Sequence, residues 1–397
     1  MLEREGVDLM PDEIYLDNSA TTRVDPGVVG VMEGIFLNEY GNPSSLHGKG
    51  VQVEKLIKEA RRSIASILQV EPEGIIFTSG GTESNNLAIR GTAMVPRRRG
   101  HHIITSSIEH LSVLNTFRDL EEQGYPVTYI EPDKRGLINP EAVAQAITDE
   151  TILVSIMHVN NEVGSIEPID KIGEVVKEKR RDIIFHVDAV QGFGKLPIYP
   201  ERGNIDLLSI SAHKLHGPKG VGALFIRKGV KIKPVITGGG QELGFRSGTE
   251  NVPGIVGFGE AARLAADGME EHSQRLNSLK ERLIERLSSS VPDAIVNGAL
   301  GEESAPHILN LSFPGIRGEV LVHSLETRGI FVSTGSACSS RKASTSHVLT
   351  AMGLKEAISE SSIRVSFSIF NTQEDVDLFV EALKDVLKEL REIYRGY

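Results

Sequence analysis

The chain has 397 residues and a net charge of −11, with 40% apolar and 24% charged residues. That length suggests two domains, and the apolar share suffices for a sizeable core. The acidic balance, the absence of Trp and the 5% aromatic content argue against direct nucleic-acid binding, which takes clustered Lys and Arg or stacking platforms.

The first twenty residues carry no basic stretch followed by an apolar one, so no signal peptide is expected. No run approaches the roughly 18 apolar residues of a spanning helix. A cytoplasmic location is the expectation. Short apolar, β-branched runs then follow: Gly74 to Thr78, Ile103 to Ser106, Val127 to Ile130, Ile152 to Met157, Ile183 to Val187, Asp206 to Ile210 and Gly222 to Ile226. They are apolar throughout rather than alternating, as strands buried on both faces are. Helical patterns such as Glu83 to Arg90 and Lys171 to Arg180 lie between several of them. The alternation predicts an α/β fold with a mostly parallel, seven-stranded sheet covered by helices.

After Pro253 the texture changes. Val252 to Ser289 has long helical spacing and reads as a bridge to a second unit. Short strands (Ile308 to Ser312, Ile330 to Ser333, Ile363 to Ser366) then alternate with helices (Ile316 to Thr327, Asp375 to Ile393), an α+β texture. The expected division is a large domain over 15–260 and a smaller one over 261–397 joined by 1–14.

A lone cysteine, Cys338, excludes an internal disulfide, a zinc knuckle and a self-contained iron–sulfur site. It is either an inert core residue or a reactive thiol. No metal site is expected.

In an open parallel sheet, ligands gather beyond the carboxyl ends of the strands. The loop FTSGGTESNN offers Gly80, Gly81 and Thr82 at a helix start, an anion cradle or an ordinary glycine turn. TSSIEHLSVLN places His110 between strand and helix. MHVNNEVG places two asparagines and a glutamate at a strand end. HVDAVQ places Asp188 behind an apolar run, where a carboxylate is costly without a cation or strong donors. SAHKLHGPKGVG places Lys214 just past a strand, with Lys219 as a more solvated competitor. A desolvated lysine is a good amine nucleophile for carbonyls. Pyridoxal phosphate asks for this joint set: a lysine Schiff base, an acid facing the ring nitrogen, and donors for the phosphate.

With these segments in view, the chain resembles the cysteine desulfurases, PLP enzymes of fold type I in the class V aminotransferase superfamily. YLDNSATT, YGNPSSLH, SGGTESNN, EHLSV, MHVNNEVG, HVDAVQ, SAHKLHGPKGVG, RSGTEN and STGSACSS carry the resemblance, which runs from Tyr15 to Asp377. The serines around Cys338 and the SHVL from Ser346 resemble the group I (NifS/IscS) type. The resemblance implies that Lys214 holds the cofactor covalently. It implies that Asp188 faces the ring nitrogen, that Gln191 lies near the ring oxygen, and that His110 stacks on the ring and moves protons. Gly81, Thr82, Ser211 and His213 would hold the phosphate. Thr249 would reach the phosphate of a neighbouring subunit, so a homodimer is implied. Asn161 and Arg364 would hold the substrate carboxylate, a bidentate partner for a guanidinium. Cys338 would accept the sulfur of L-cysteine as a persulfide, leaving alanine, for delivery to an iron–sulfur scaffold or another acceptor protein such as one serving tRNA thiolation. The segment Ser333 to Ser346 holds mostly small residues and is expected to be mobile. The chain departs from the family pattern at Arg23, Leu243 and Phe245. The rival readings are another class V enzyme, such as a selenocysteine lyase or an aminotransferase, and a catalytically silent sulfur-carrier scaffold.

Overall fold

The computed structural model describes residues 13–96, 100–335 and 345–395. Cys338 and the segment around it, 336–344, lie outside the described residues.

All seven predicted strands of the first part form one sheet. Its spatial order is Ile75–Thr78, Gly222–Ile226, Leu207–Ser211, Ile184–Asp188, Thr151–Met157, His102–Ser106 and Val127–Ile130. Every neighbouring pair is parallel except those of Gly222–Ile226, which runs against both its neighbours. Every strand of this sheet except Val127–Ile130 is buried along its whole length, and this explains the lack of alternation. Helices cover both faces. Ile57, Ile64, Phe185, Leu208 and Phe258 belong to one apolar cluster, and Ile76, Leu87, Phe117, Leu153 and Leu224 to another.

Residues Val252–Ser290 form a single helix, as their spacing predicts, with Asn251 capping its first turn through Gly254 N at 3.2 Å. Its first half (Val252, Ile255, Phe258, Ala262) buries apolar side chains with the sheet's helices. Its second half (Leu276, Leu279, Leu283, Leu287) buries them in a separate cluster with Leu309, Leu311, Ile363, Phe379 and Leu383. That cluster lies on a small antiparallel sheet ordered Ser362–Ser366, Ile308–Ser312, Ile295–Asn297, and on the closing helix Gln373–Arg395. Ile14–Tyr15 pairs in parallel with Ile330–Phe331 and joins the same cluster.

One predicted strand is shorter than expected. Ile330 to Ser333 keeps strand pairing only at Ile330–Phe331. Ser333 turns away to exchange main-chain bonds with Arg364 instead.

Candidate active site

The parallel strands share a direction, so Thr78, Ser106, Met157, Asp188 and Ser211 all end on one edge of the sheet. Register sets them level: Met157 lies opposite Asp188, and Ser211 and Thr78 both lie opposite Gly222. Beyond this edge is a cavity of about 480 Å³, lined among others by Gly81, Thr82, His110, Asp188, Gln191 and Lys214. Asn161, His213 and Arg364 line it too.

Asp188 is buried, and both its oxygens accept hydrogen bonds. Oδ1 takes Val190 N at 3.0 Å and Oδ2 takes Asn85 Nδ2 at 2.7 Å. The Asn85 amide also reaches Ser112 Oγ at 2.9 Å, and Ser112 Oγ lies 2.8 Å from His110 Nδ1. Ser112 N donates to the same ring nitrogen at 3.2 Å, so His110 caps the helix Leu111–Glu122. Nδ1 is therefore an acceptor, and the neutral ring carries its proton on Nε2. Burial pushes the His110 imidazole below its ordinary pKa. Asp188 opposes that shift, while Lys214 and His347 add to it. A neutral imidazole with a single N–H suits a flat partner stacked on its face.

Lys214 follows the strand end in a short turn, Ala212–Lys214. It is half-buried rather than fully buried, because its amine reaches out to the Ser19 and Ala20 carbonyls, the latter at 2.7 Å. Gln191 Nε2 donates to the same Ser19 carbonyl at 3.0 Å, and its Oε1 is buried with no partner.

At the other end of the site the helix Gly81–Ala93 opens with unpaired amides. Ser211 Oγ is buried there without a partner. A side chain at Gly81 would put its Cβ 2.7 Å from Val190 Cγ2, so glycine keeps this corner open. His213 Nδ1 lies 3.2 Å from Thr21 Oγ1, and burial, with Lys214 and Lys219 adding to it, lowers this imidazole's pKa to about 4. The corner thus offers amides, a hydroxyl and a neutral imidazole to an anion.

Arg364 is buried. Its guanidinium donates to Asp17 Oδ1 at 2.7 Å and to the Asn161 carbonyl at 2.9 Å, and its Nε has no partner. The structure thus joins Asn161 to Arg364 through the main chain rather than through the Asn161 amide. Thr249 is exposed and stands apart from the cavity of its own chain.

Sequence reasoning missed Asn85, Ser112 and Asp17. Asn85 and Asp17 have partners far along the chain, whereas Ser112 joins the nearby His110 to the distant Asn85, and Asn85 at least had a signal. It stands four residues after Gly81, on the helix face that turns toward the sheet.

The donor set fits pyridoxal phosphate. The buried carboxylate suits a ring nitrogen, the unpartnered Ser211 hydroxyl and the helix amides suit a phosphate, and Lys214 lines the same cavity. Fold and site together define the class, a PLP enzyme of the aminotransferase type. Residues 14–379 match the class-V aminotransferase family. Cysteine desulfurase IscS of Methanosarcina thermophila is 48% identical over 98% of this chain and 95% of its own. Its namesake in Clostridium botulinum (strain Hall) is 46% identical over 97% and 96%. Among solved structures, a NifS-like protein matches with a TM-score of 0.89 and 42% identity, covering 95% of this chain and 100% of its own. A structure described as SspA in complex with cysteine matches with a TM-score of 0.79 and 39% identity, covering 90% and 100%. The chain belongs to the class-V aminotransferase family and, within it, to the cysteine desulfurases.

Proposed function

We propose that this chain is a PLP-dependent cysteine desulfurase that turns L-cysteine into L-alanine and holds the sulfur as a persulfide on Cys338. One observation carries the reading. Gly335 and Thr345, the described residues that flank the cysteine-bearing segment, both line the cavity that holds Lys214, Asp188 and His110.

Bound there, PLP supplies an electron sink for the substrate's α-carbon. Lys214 Nζ, held at the strand end, takes and returns the α-proton. Asp188 would keep the ring nitrogen protonated. His110 would cover the ring, and Gln191 would serve its oxygen. Gly81, Thr82, Ser211 and His213 would hold the phosphate, joined by Thr249 from a second copy. Arg364 fixes the substrate carboxylate beside Asn161. The Cys338 thiolate forms a bond to the substrate sulfur while the sulfur–carbon bond breaks. That bond's electron pair stays with the carbon, which takes a proton to finish as alanine. The test is alanine release from L-cysteine by the native enzyme and by Cys338→Ala. An aminotransferase has no use for the thiol and would lose nothing.

The chain is also proposed to be a homodimer. Phe36, Leu37, Tyr40, Leu46 and Leu243 are exposed in the single chain, and Leu46 is 99% so. Large apolar side chains left this exposed suit burial against a second copy. Leu243 also sits at φ 56°, a left-handed conformation that a bulky residue adopts at a cost. The two-part division expected from the sequence is retained as a proposal, supported by the separate apolar clusters at the two ends of the long helix. The persulfide would pass to an acceptor protein, an iron–sulfur scaffold or a carrier for tRNA thiolation. Among the described residues no helix is long and apolar enough to cross a membrane. A working free thiol suits the reducing cytoplasm.

A further inference from the structure

Glu162 has no part in the chemistry assigned above, yet it is 3% exposed and makes no ion pair among the described residues. A carboxylate so buried is expensive unless its contacts matter. Its main chain is fixed. Glu162 N and Val163 N both donate to Asn160 Oδ1, at 2.9 and 3.0 Å, and Asn160 Nδ2 is tied to the Ile108 carbonyl. The side chain then meets both ends of one stretch of chain. Ser346 Oγ donates to Glu162 Oε2. Gly335, at φ 83°, lies so close that a Cβ there would stand 3.3 Å from the same oxygen. The surroundings lock both ends in place. Ser346 caps the helix His347–Ala351 through Leu349 N at 3.1 Å, and His347 Nε2 lies 3.0 Å from the Glu109 carbonyl. Ser333, two residues before Gly335, pairs with Arg364, which in turn holds the Asn161 carbonyl. One carboxylate oxygen therefore lies against both Gly335 and Ser346, described residues on either side of 336–344.

We propose that Glu162 is a positioning residue that bonds one flank of the cysteine-bearing segment at Ser346 and stands against the other at Gly335, so that sulfur transfer, and not substrate binding, depends on it. The proposal rests on the desulfurase reading for what the segment delivers. The pinning itself rests on the contacts of Glu162.

The test uses the PLP-loaded full chain and compares Glu162→Ala and Glu162→Gln. The Gln amide oxygen can still accept from Ser346 Oγ. Glu162→Ala should lower kcat for alanine formation about tenfold and leave the KM for L-cysteine within about threefold, while Glu162→Gln restores most of the rate. Amide exchange in 345–351 should quicken in Glu162→Ala and stay native-like in Glu162→Gln. A second variant, Ser346→Asp, keeps an N-cap acceptor but has no proton to give Glu162. It should behave like Glu162→Ala, and it decides the matter if Glu162→Ala does not fold. Unchanged exchange and rate in Ser346→Asp would overturn the proposal. A KM that rises with the loss of kcat would overturn it too, since Glu162 would then be touching substrate. If Cys338→Ala makes alanine at the native rate, the desulfurase reading fails, and the exchange data still judge the pinning.

Discussion

Asn85 Nδ2 donates to Asp188 Oδ2 at 2.7 Å across 103 residues of sequence, and the same amide holds Ser112, the partner of His110. Asp188 and His110 are thus tied together through one side chain. Asp188→Asn would leave the ring nitrogen without its anion and should cut kcat for alanine release by about 10²–10³. Asn85→Ala keeps the charge and loses only the orientation, so it should cost about tenfold. Steady-state alanine assays check both. Equal losses would mean that Asn85 does more than orient.

The corner at Gly81 predicts a steric result. Gly81→Ala sets a Cβ against Val190 Cγ2 at 2.7 Å, so one of them must move into the phosphate corner. Cofactor affinity should fall about tenfold, and adding Val190→Ala should recover most of it, because contacting sites do not add. Titration of each apo-protein with PLP measures this.

For Arg364, Lys is not a conservative replacement. It keeps the charge but loses the fork that holds Asp17, the Asn161 carbonyl and the proposed substrate carboxylate together. Arg364→Lys should raise the KM for L-cysteine about tenfold or more, with cofactor binding unchanged. A drop in cofactor affinity with an unchanged KM would place Arg364 elsewhere in the mechanism.

Glu109 lies directly before His110, wholly buried, with Oε1 accepting from Ser106 Oγ at 2.7 Å and Met157 N at 2.8 Å. Burial, with Asp188 adding to it, pushes its carboxyl from 4.5 up to about 8. The folded state then holds a proton that the unfolded state gives up, so stability falls as pH rises from 4.5 to 8. Glu109→Gln cannot ionise. Its stability relative to the native chain should therefore grow across that window and level off above it. Denaturant melts of both proteins over the pH range provide the check, and a constant difference would contradict it.

The exposed apolar set predicts a dimer that one charge can break. Leu46→Glu or Phe36→Glu should yield a monomer in sedimentation, and the monomer should hold PLP more weakly because it would lose the contact proposed for Thr249 of a second copy. A native chain that sediments as a monomer would remove both claims.

Much of the fold was legible in the sequence because strands buried on both faces lack alternation, and six of the seven runs are buried throughout, Val127–Ile130 being the exception. That Asp188, Lys214 and His110 meet at one cavity was legible because each lies at or just past a strand end, where this topology gathers its ligands. What escaped was decided by distant contacts. Ser333 leaves its strand for Arg364, which no local pattern shows. Asn85 and Asp17 read as ordinary polar residues until the chain brings them to Asp188 and Arg364. Lys214 is less buried than its small neighbours implied, since carbonyls of the segment Ser19–Ala20 draw its amine outward.

The most direct measurement is mass spectrometry of the PLP-loaded enzyme after one turnover with L-cysteine. One added sulfur is predicted on the peptide that contains Cys338, matched by one alanine released, with neither in Lys214→Ala. Alanine released with no sulfur on that peptide, or at the native rate from Cys338→Ala, would contradict the account.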